Sequence, residues 1–276
     1  MTAWTSAEWL KLTIPNALHY LDELRVCIAP HAPRFADLQD DSQEVAKSFE
    51  GDTVLIHNTE WPTDTNTIPD VTKCRILNEL IGMKDVNDGD VLVIVDADEC
   101  YDEEGQALLK AFAEQDECPV GLVKGMYFCI NLHWYFINPE MMRLFRYEKG
   151  FKYIPTQKPV FPSVGSNPCY THTGATMYHY SMLQDAELRK RYWEISPPHD
   201  KVTQRRKRIW LDMVYSRWDV TDQRASAMRN KQQTGRRGFW HTDDMEEDGE
   251  GLFRFTGRHP TEVANSRFML VEDFRR

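Results

Sequence analysis

Val91-Leu92-Val93-Ile94-Val95 runs straight into Asp96-Ala97-Asp98-Glu99. Five apolar residues released by the turn formers Asp88-Gly89 predict a buried strand, and in an extended segment residues i and i+2 project the same way. Asp96 and Asp98 are therefore expected to emerge together at the C-terminal edge of a sheet, where open α/β folds bind ligands. Two carboxylates so placed repel each other unless a hard divalent cation sits between them and a phosphate. That arrangement suits a reaction whose leaving group is a nucleoside diphosphate, because the ion neutralises the charge that develops. The plainer alternative is a surface turn, acidic because a helix N-terminus follows.

The elements around this segment alternate. Thr5 and Glu8 have capping-box spacing ahead of a helical run through Trp9, Leu10, Ile14, Ala17 and Leu18, with Pro15 expected to kink or restart it. Leu24–Ala29 reads as a buried strand, residues 41–49 as a helix and Thr53–His57 as a short strand. A Pro-rich loop then leads into a helix over Val71–Lys84, and another helix spans Glu103–Gln115. Strand, helix, strand, helix through residue 115 predicts an α/β domain with a mostly parallel central sheet and flanking helices. Beyond Pro119 the pattern turns to strands, and from about Gln184 to Lys231 to helices rich in Arg and Trp. The expected division is a catalytic domain over 1–183, split at 118/119 into a nucleotide half and an acceptor half. A helical, basic C-terminal module over 184–276 follows.

VLVIVDADE, with KCRILNELIG on the helix before it, resembles the D-x-D region of family 2 glycosyltransferases with the Rossmann-like GT-A fold. The resemblance extends to the opening TAWTSAEWLKLTIP, to WYFINPEMMRLFRYEKGFKYI, to ATMYHYSMLQDAELRKRYW and to GRHP near the end. It implies transfer of a sugar from a nucleotide-sugar donor, a UDP-sugar foremost, with Mn²⁺ or Mg²⁺. Asp98 and His179 would be metal ligands, and Asp96 would approach the ion or the donor ribose. Arg75, Thr2 and Trp4 would lie along the nucleotide.

An inverting transfer needs a carboxylate to take the acceptor's proton. Glu99, Asp102, Asp185 and Glu187 qualify by type; Asp185 stands where the family often places its base, yet a helix N-cap accounts for it equally. His179 is as readily a hydrogen-bonded strand histidine as a ligand. His133 and Trp134 are candidates for the acceptor pocket or for plain core. Arg143 and Arg146 are expected to share a strand face and serve phosphate, or to make surface ion pairs.

Charge points to an acceptor. Residues 201–237 hold eleven basic and three acidic side chains, a net of +8, in a chain of net −10, so the remainder carries −18. Trp210, Tyr215 and Trp218 interleave that stretch. Cations for phosphates and rings for stacking are what a nucleic-acid surface requires. A hydroxymethylated pyrimidine of bacteriophage DNA, extruded into the pocket, is the first candidate acceptor. A cell-surface glycan or lipid-linked precursor is the second. Two readings from other classes stand beside these: a catalytically silent nucleotide-binding module, and a haloacid-dehalogenase-type phosphatase whose nucleophile would be Asp96.

The longest strongly apolar run has five residues, Val91–Val95, far short of the roughly 20 that span a bilayer. MTAWTSAEWLKLTIP lacks the features of a secretion signal. The six cysteines contain no C-x-x-C pair, which argues against a zinc ribbon and for reduced thiols. A cytoplasmic setting is expected, the host's cytoplasm if phage-encoded.

Overall fold

Three short strands, β1 (Thr2–Ala3), β2 (Leu24–Ile28) and β3 (Val54–His57), lie parallel in the order β1-β2-β3. A parallel bridge between Thr2 and Asp96 carries this layer on to the D-x-D segment. The structure, a computed structural model, describes residues 1–4, 6–30, 40–60, 69–115, 118–129, 131–154, 158–165, 168–183, 217, 219 and 253–271. The chain divides into two units. One comprises 1–125, 139–179 and 259–266, the other 126–138, 180–258 and 267–276.

In the first unit, the helices α1 (Ala7–Leu18), α2 (Ser42–Lys47), α3 (Pro69–Gly82) and α4 (Glu103–Ala113) stand where hydrophobic period and turn formers predict them. Leu10, Ile14 and Ala17 of α1 are fully buried, in one cluster with Val26 and Val54 of the strands. The start of α1 is held differently from the expected capping box. Thr5 lies outside the described residues, and Ser6 stands at the N-cap without a side-chain capping bond. Instead the Ser6 amide donates to Ser42 Oγ at 2.8 Å and the Ala7 amide to Asp40 Oδ2 at 3.0 Å. Distant chain thus satisfies donors that a helix leaves orphaned. Pro15 sits inside one continuous helix rather than dividing it. The carbonyl it deprives of a partner belongs to Lys11, an exposed residue that water can serve.

Buried Asn16 ties α1 to β5 (Glu99–Tyr101). Its Nδ2 donates to the Tyr101 carbonyl at 2.9 Å, and its Oδ1 accepts from the Tyr101 amide at 2.9 Å. Nδ2 also reaches Glu262 at 2.8 Å, on the short helix α5 (Thr261–Ala264). Asn16→Ala orphans a buried backbone amide and is expected to cost about 2–3 kcal/mol in urea unfolding. At α4, Asp102 caps the helix by accepting from the Gly105 amide at 2.8 Å, while the Tyr178 hydroxyl donates to its other oxygen at 2.7 Å. Tyr178→Phe is expected to lower stability by about 1.5 kcal/mol, the range for a bond to a charged acceptor.

The second sheet departs from the parallel expectation. β4 (Val91–Val93) pairs antiparallel with β7 (Trp134–Arg146), and β5 pairs antiparallel with β10 (Tyr170–Met182). In the first unit the order is β7-β6-β10-β5, with β6 spanning Val120–Cys129. The connection from Ile94 to Asp98 is far shorter than the dozen or so residues a parallel crossover needs, so the parallel run stops there. The fold is mixed α/β rather than mostly parallel. A hairpin of β8 (Lys152–Ile154) and β9 (Lys158–Val160) follows β7, and Tyr153 is held by Asn78 of α3 in both directions, at 2.8 and 2.9 Å.

In the second unit, β11 (Phe253–Arg254) pairs antiparallel with the start of β7, and Phe128, Tyr135, Tyr180 and Phe255 form one aromatic cluster. Of the segment 184–252, only 217 and 219 are described. The helices expected over 184–231, Asp185 and Glu187, the bulk of the basic stretch and the acidic loop Asp243–Glu250 therefore lie outside the described residues. Within 253–271 the chain forms β11, α5 and a 3₁₀ turn at Arg267–Leu270. Among the described residues no helix is long and apolar enough to cross a membrane.

Candidate active site

The D-x-D segment is a turn, not the end of an extended strand. β4 stops at Val93, and Glu99 closes the turn by donating its amide to the Asp96 carbonyl at 3.1 Å. The Glu99 carboxylate in turn accepts from the Asp96 amide at 2.9 Å. This reciprocal pair of bonds bends the chain between the two aspartates, so the i, i+2 rule for extended segments does not govern them. They face different partners.

Asp96 is held by cations. Lys73 Nζ of α3 donates to both of its oxygens, at 2.7 and 2.9 Å, and Arg143 Nη2 of β7 lies 3.5 Å from Oδ2. Thr2 Oγ1 donates to it at 3.4 Å from β1. Arg143 also engages Glu99, whose side chain is fully buried. Burial works against ionisation of both carboxyls, with opposite outcomes. At Asp96, Lys73 and Arg143 overcome it and hold the carboxyl far below its usual range. At Glu99, burial, backed by repulsion from Asp96, outweighs Arg143 and pushes the carboxyl up. Lys73 is raised in its turn, because Asp96 outweighs the burial that opposes its charge.

Asp98 meets His179. Strand pairing sets His179 of β10 opposite Glu99, which carries its Nε2 to 3.3 Å from Asp98 Oδ1 and 3.9 Å from Glu99 Oε1. Burial disfavours the imidazolium, but Asp98, then Glu99 and Asp96, more than offset it and raise the His179 pKa. Asp98 keeps 19 % of its side chain exposed and His179 12 %. One carboxylate oxygen and one imidazole nitrogen this close can fill two adjacent positions on a divalent ion; Mn²⁺ takes both donor types, whereas Mg²⁺ prefers oxygen. The expected trio of Asp96, Asp98 and His179 does not gather: among the described residues no three His, Cys, Asp or Glu side chains are grouped to hold a metal. Asp96 is already neutralised, and the donor set that fits is the pair Asp98 and His179.

The other expected residues scatter. Arg75 lies away from Asp96 on α3, bound to Glu79 at 2.5 Å, Thr59 at 2.9 Å and the Glu60 carbonyl at 2.9 Å. The α3 cation beside Asp96 is Lys73, two residues earlier, a residue with no expected role in the sequence. A lysine facing the sheet from α3 was the available signal. Trp4 is half-buried at the end of β1, and its carbonyl accepts from Ser6 Oγ at 3.0 Å.

Arg143 and Arg146 do not share a face, since an offset of three along a strand puts side chains on opposite sides. Arg143 joins the acidic turn; Arg146 donates to the carbonyls of Gly89, Phe112 and Gln115 and lies over the Phe112 ring. Both are ion-pairing or carbonyl-binding residues here. His133 and Trp134 belong to the second unit, His133 exposed and Trp134 half-buried, paired with Arg254. Glu99 is shut away from solvent, which suits a residue that shapes the turn and not one that takes a proton from an acceptor.

No protein-family model matches the chain, and no curated protein matches it.

Proposed function

We propose that the chain is a metal-dependent glycosyltransferase that uses a nucleotide-sugar donor. The observation that carries this reading is the Asp98–His179 pair, 3.3 Å apart at the tip of an acidic turn continuous with the parallel layer. Asp98 and His179 would hold the ion, Mn²⁺ by preference, and when bound it supplies charge neutralisation for a departing nucleoside diphosphate. Lys73 and Arg143 keep Asp96 ionised without a net negative charge, and Glu99 holds the turn in shape. Together they leave Asp98 and His179 beside carboxylates that are already paired.

The acceptor we propose is a hydroxyl on a hydroxymethylated pyrimidine in DNA, bound through residues 201–237; the support is the charge and aromatic pattern of that stretch. A cell-surface glycan or lipid-linked precursor is the alternative. The phosphatase reading fares worse, because its nucleophile would be Asp96, a carboxylate already clamped by Lys73. Hydrolysis of a panel of nucleotide sugars with and without Mn²⁺ tests the donor chemistry. A gel shift with duplex DNA at rising salt tests the acceptor, with binding that weakens steeply as salt rises as the expected result.

A further inference from the structure

Two cysteines far apart in the chain meet just ahead of β6 and β10, within the first unit. β6 and β10 are neighbours in the second sheet, and Thr173 Oγ1 of β10 donates to the Leu122 carbonyl of β6 at 2.9 Å, across 51 residues of chain. Cys118 and Cys169 are separated by the same interval. Their thiols are in hydrogen-bond contact, and Cys118 pushes the Cys169 pKa up. The pairs Leu122–Thr173 and Cys118–Cys169 share one offset, as neighbours in a parallel register do.

Geometry and access both favour a bond between them. Neighbouring strands run about 4.8 Å apart, inside the roughly 4.4–6.8 Å of Cα separation that a disulfide spans. Both residues are thiols, Cys118 half-buried and Cys169 exposed, so a small oxidant reaches the pair from solvent. Cys27, Cys74 and Cys100 are shut into the core. Burial pushes the Cys27 thiol up to about 12 and the Cys100 thiol well above its usual range. The thiolate is the form that reacts with a disulfide, so those two are poor competitors.

We propose that Cys118 and Cys169 form a reversible redox site that a small-molecule disulfide such as oxidised glutathione closes into an intramolecular disulfide. One thiolate of the pair attacks a glutathione sulfur, releases one reduced glutathione and leaves a mixed disulfide. The other thiolate attacks the protein sulfur of that mixed disulfide, releases the second glutathione and closes the Cys118–Cys169 bond. Two protein S–H bonds and the oxidant's S–S bond are lost. One protein S–S bond and two glutathione S–H bonds form, and two electrons pass from the protein to the oxidant. The exposed Cys169 leaves the bond open to attack by thiols, which makes it the reducible kind. Closure ties the start of β6 to the start of β10 and restricts the unfolded chain more than the folded one. The site does not depend on the glycosyltransferase reading.

The full chain, equilibrated in buffers of reduced and oxidised glutathione, is digested with trypsin and mapped by mass spectrometry. The expected product joins the peptides over 111–124 and 153–189, each of which holds one cysteine. Folded chain should favour this bond at least tenfold over chain unfolded in urea. By the thermodynamic cycle the same factor enters the folding equilibrium, so the oxidised chain should melt higher by roughly 3 °C or more. Dithiothreitol should reverse both effects. Cys118→Ser and Cys169→Ser should show neither, while their reduced forms melt with the reduced parent. A folded chain that only carries glutathione on Cys169, that closes a different pair, or that favours the 118–169 bond no more than the unfolded chain overturns the proposal.

Discussion

On the proposed chemistry, an Asp98→Ala chain is expected to transfer sugar roughly 10²- to 10³-fold more slowly than the parent, the loss typical of removing one preorganised electrostatic stabiliser. Asp98 is paired with His179, itself a candidate metal donor, whereas Asp96 is spent on Lys73 and Glu99 on Arg143. Removing it takes away half of the pair that fits a divalent ion and none of the buried core. His179 loses its nearest carboxylate in this chain but can shed its proton, so the unfolding midpoint is measured beside activity to separate a catalytic loss from a misfolded chain. His179→Ala is expected to act alike, and the double variant little worse than either single one, since groups that act as a unit are strongly non-additive. In the parent, a chelator should remove activity and Mn²⁺ restore it; in Asp98→Ala, millimolar Mn²⁺ should recover only part. An Asp98→Ala chain with parental kcat and the same Mn²⁺ dependence would sink the proposed chemistry.

Lys73→Met should do the reverse, damaging stability before chemistry. It leaves Asp96, 20 % exposed at the side chain, with Arg143 at 3.5 Å as the nearest cation among the described residues. Breaking a largely buried pair by removing one partner costs about 3–5 kcal/mol; the surviving arginine argues for the lower end, about 3 kcal/mol. The pH dependence has a definite sign. Lys73 and Arg143 depress the Asp96 pKa far below the usual carboxylate range, so the stability they supply is fully present above about pH 4 and persists into strong acid. In Lys73→Met the Asp96 pKa rises, and acid then relieves the stranded charge. The deficit should be widest at neutral pH and shrink as pH falls below about 4. Urea unfolding of both chains from pH 3 to pH 7 measures it. Asp96→Asn in the Lys73→Met background should recover much of the loss; no recovery would mean that the lysine's packing, not its charge, is what matters.

Local pattern was enough for most of the first unit. β2, β3 and the helices α2, α3 and α4 fall within a few residues of where apolar periodicity and turn formers place them. Those signals act over one or two turns of chain and need no distant partner. The run of strands after Pro119 was legible for the same reason.

The geometry of the D-x-D segment was not legible in its residue types. Whether Asp96 and Asp98 point together depends on a turn closed by Glu99, and on Lys73 and Arg143, which lie 23 and 47 residues from Asp96. Composition cannot tell an aspartate waiting for a metal from one already balanced by a lysine, since both sit at a strand's end in an acidic neighbourhood. The cap on α1 came from Asp40 and Ser42 for the same reason. Short-range hydrogen-bonding and hydrophobic preferences are written residue by residue along the chain. Charge compensation depends on which elements are brought within a few ångströms, and that is decided by the packing of α3 and β7 around the sheet.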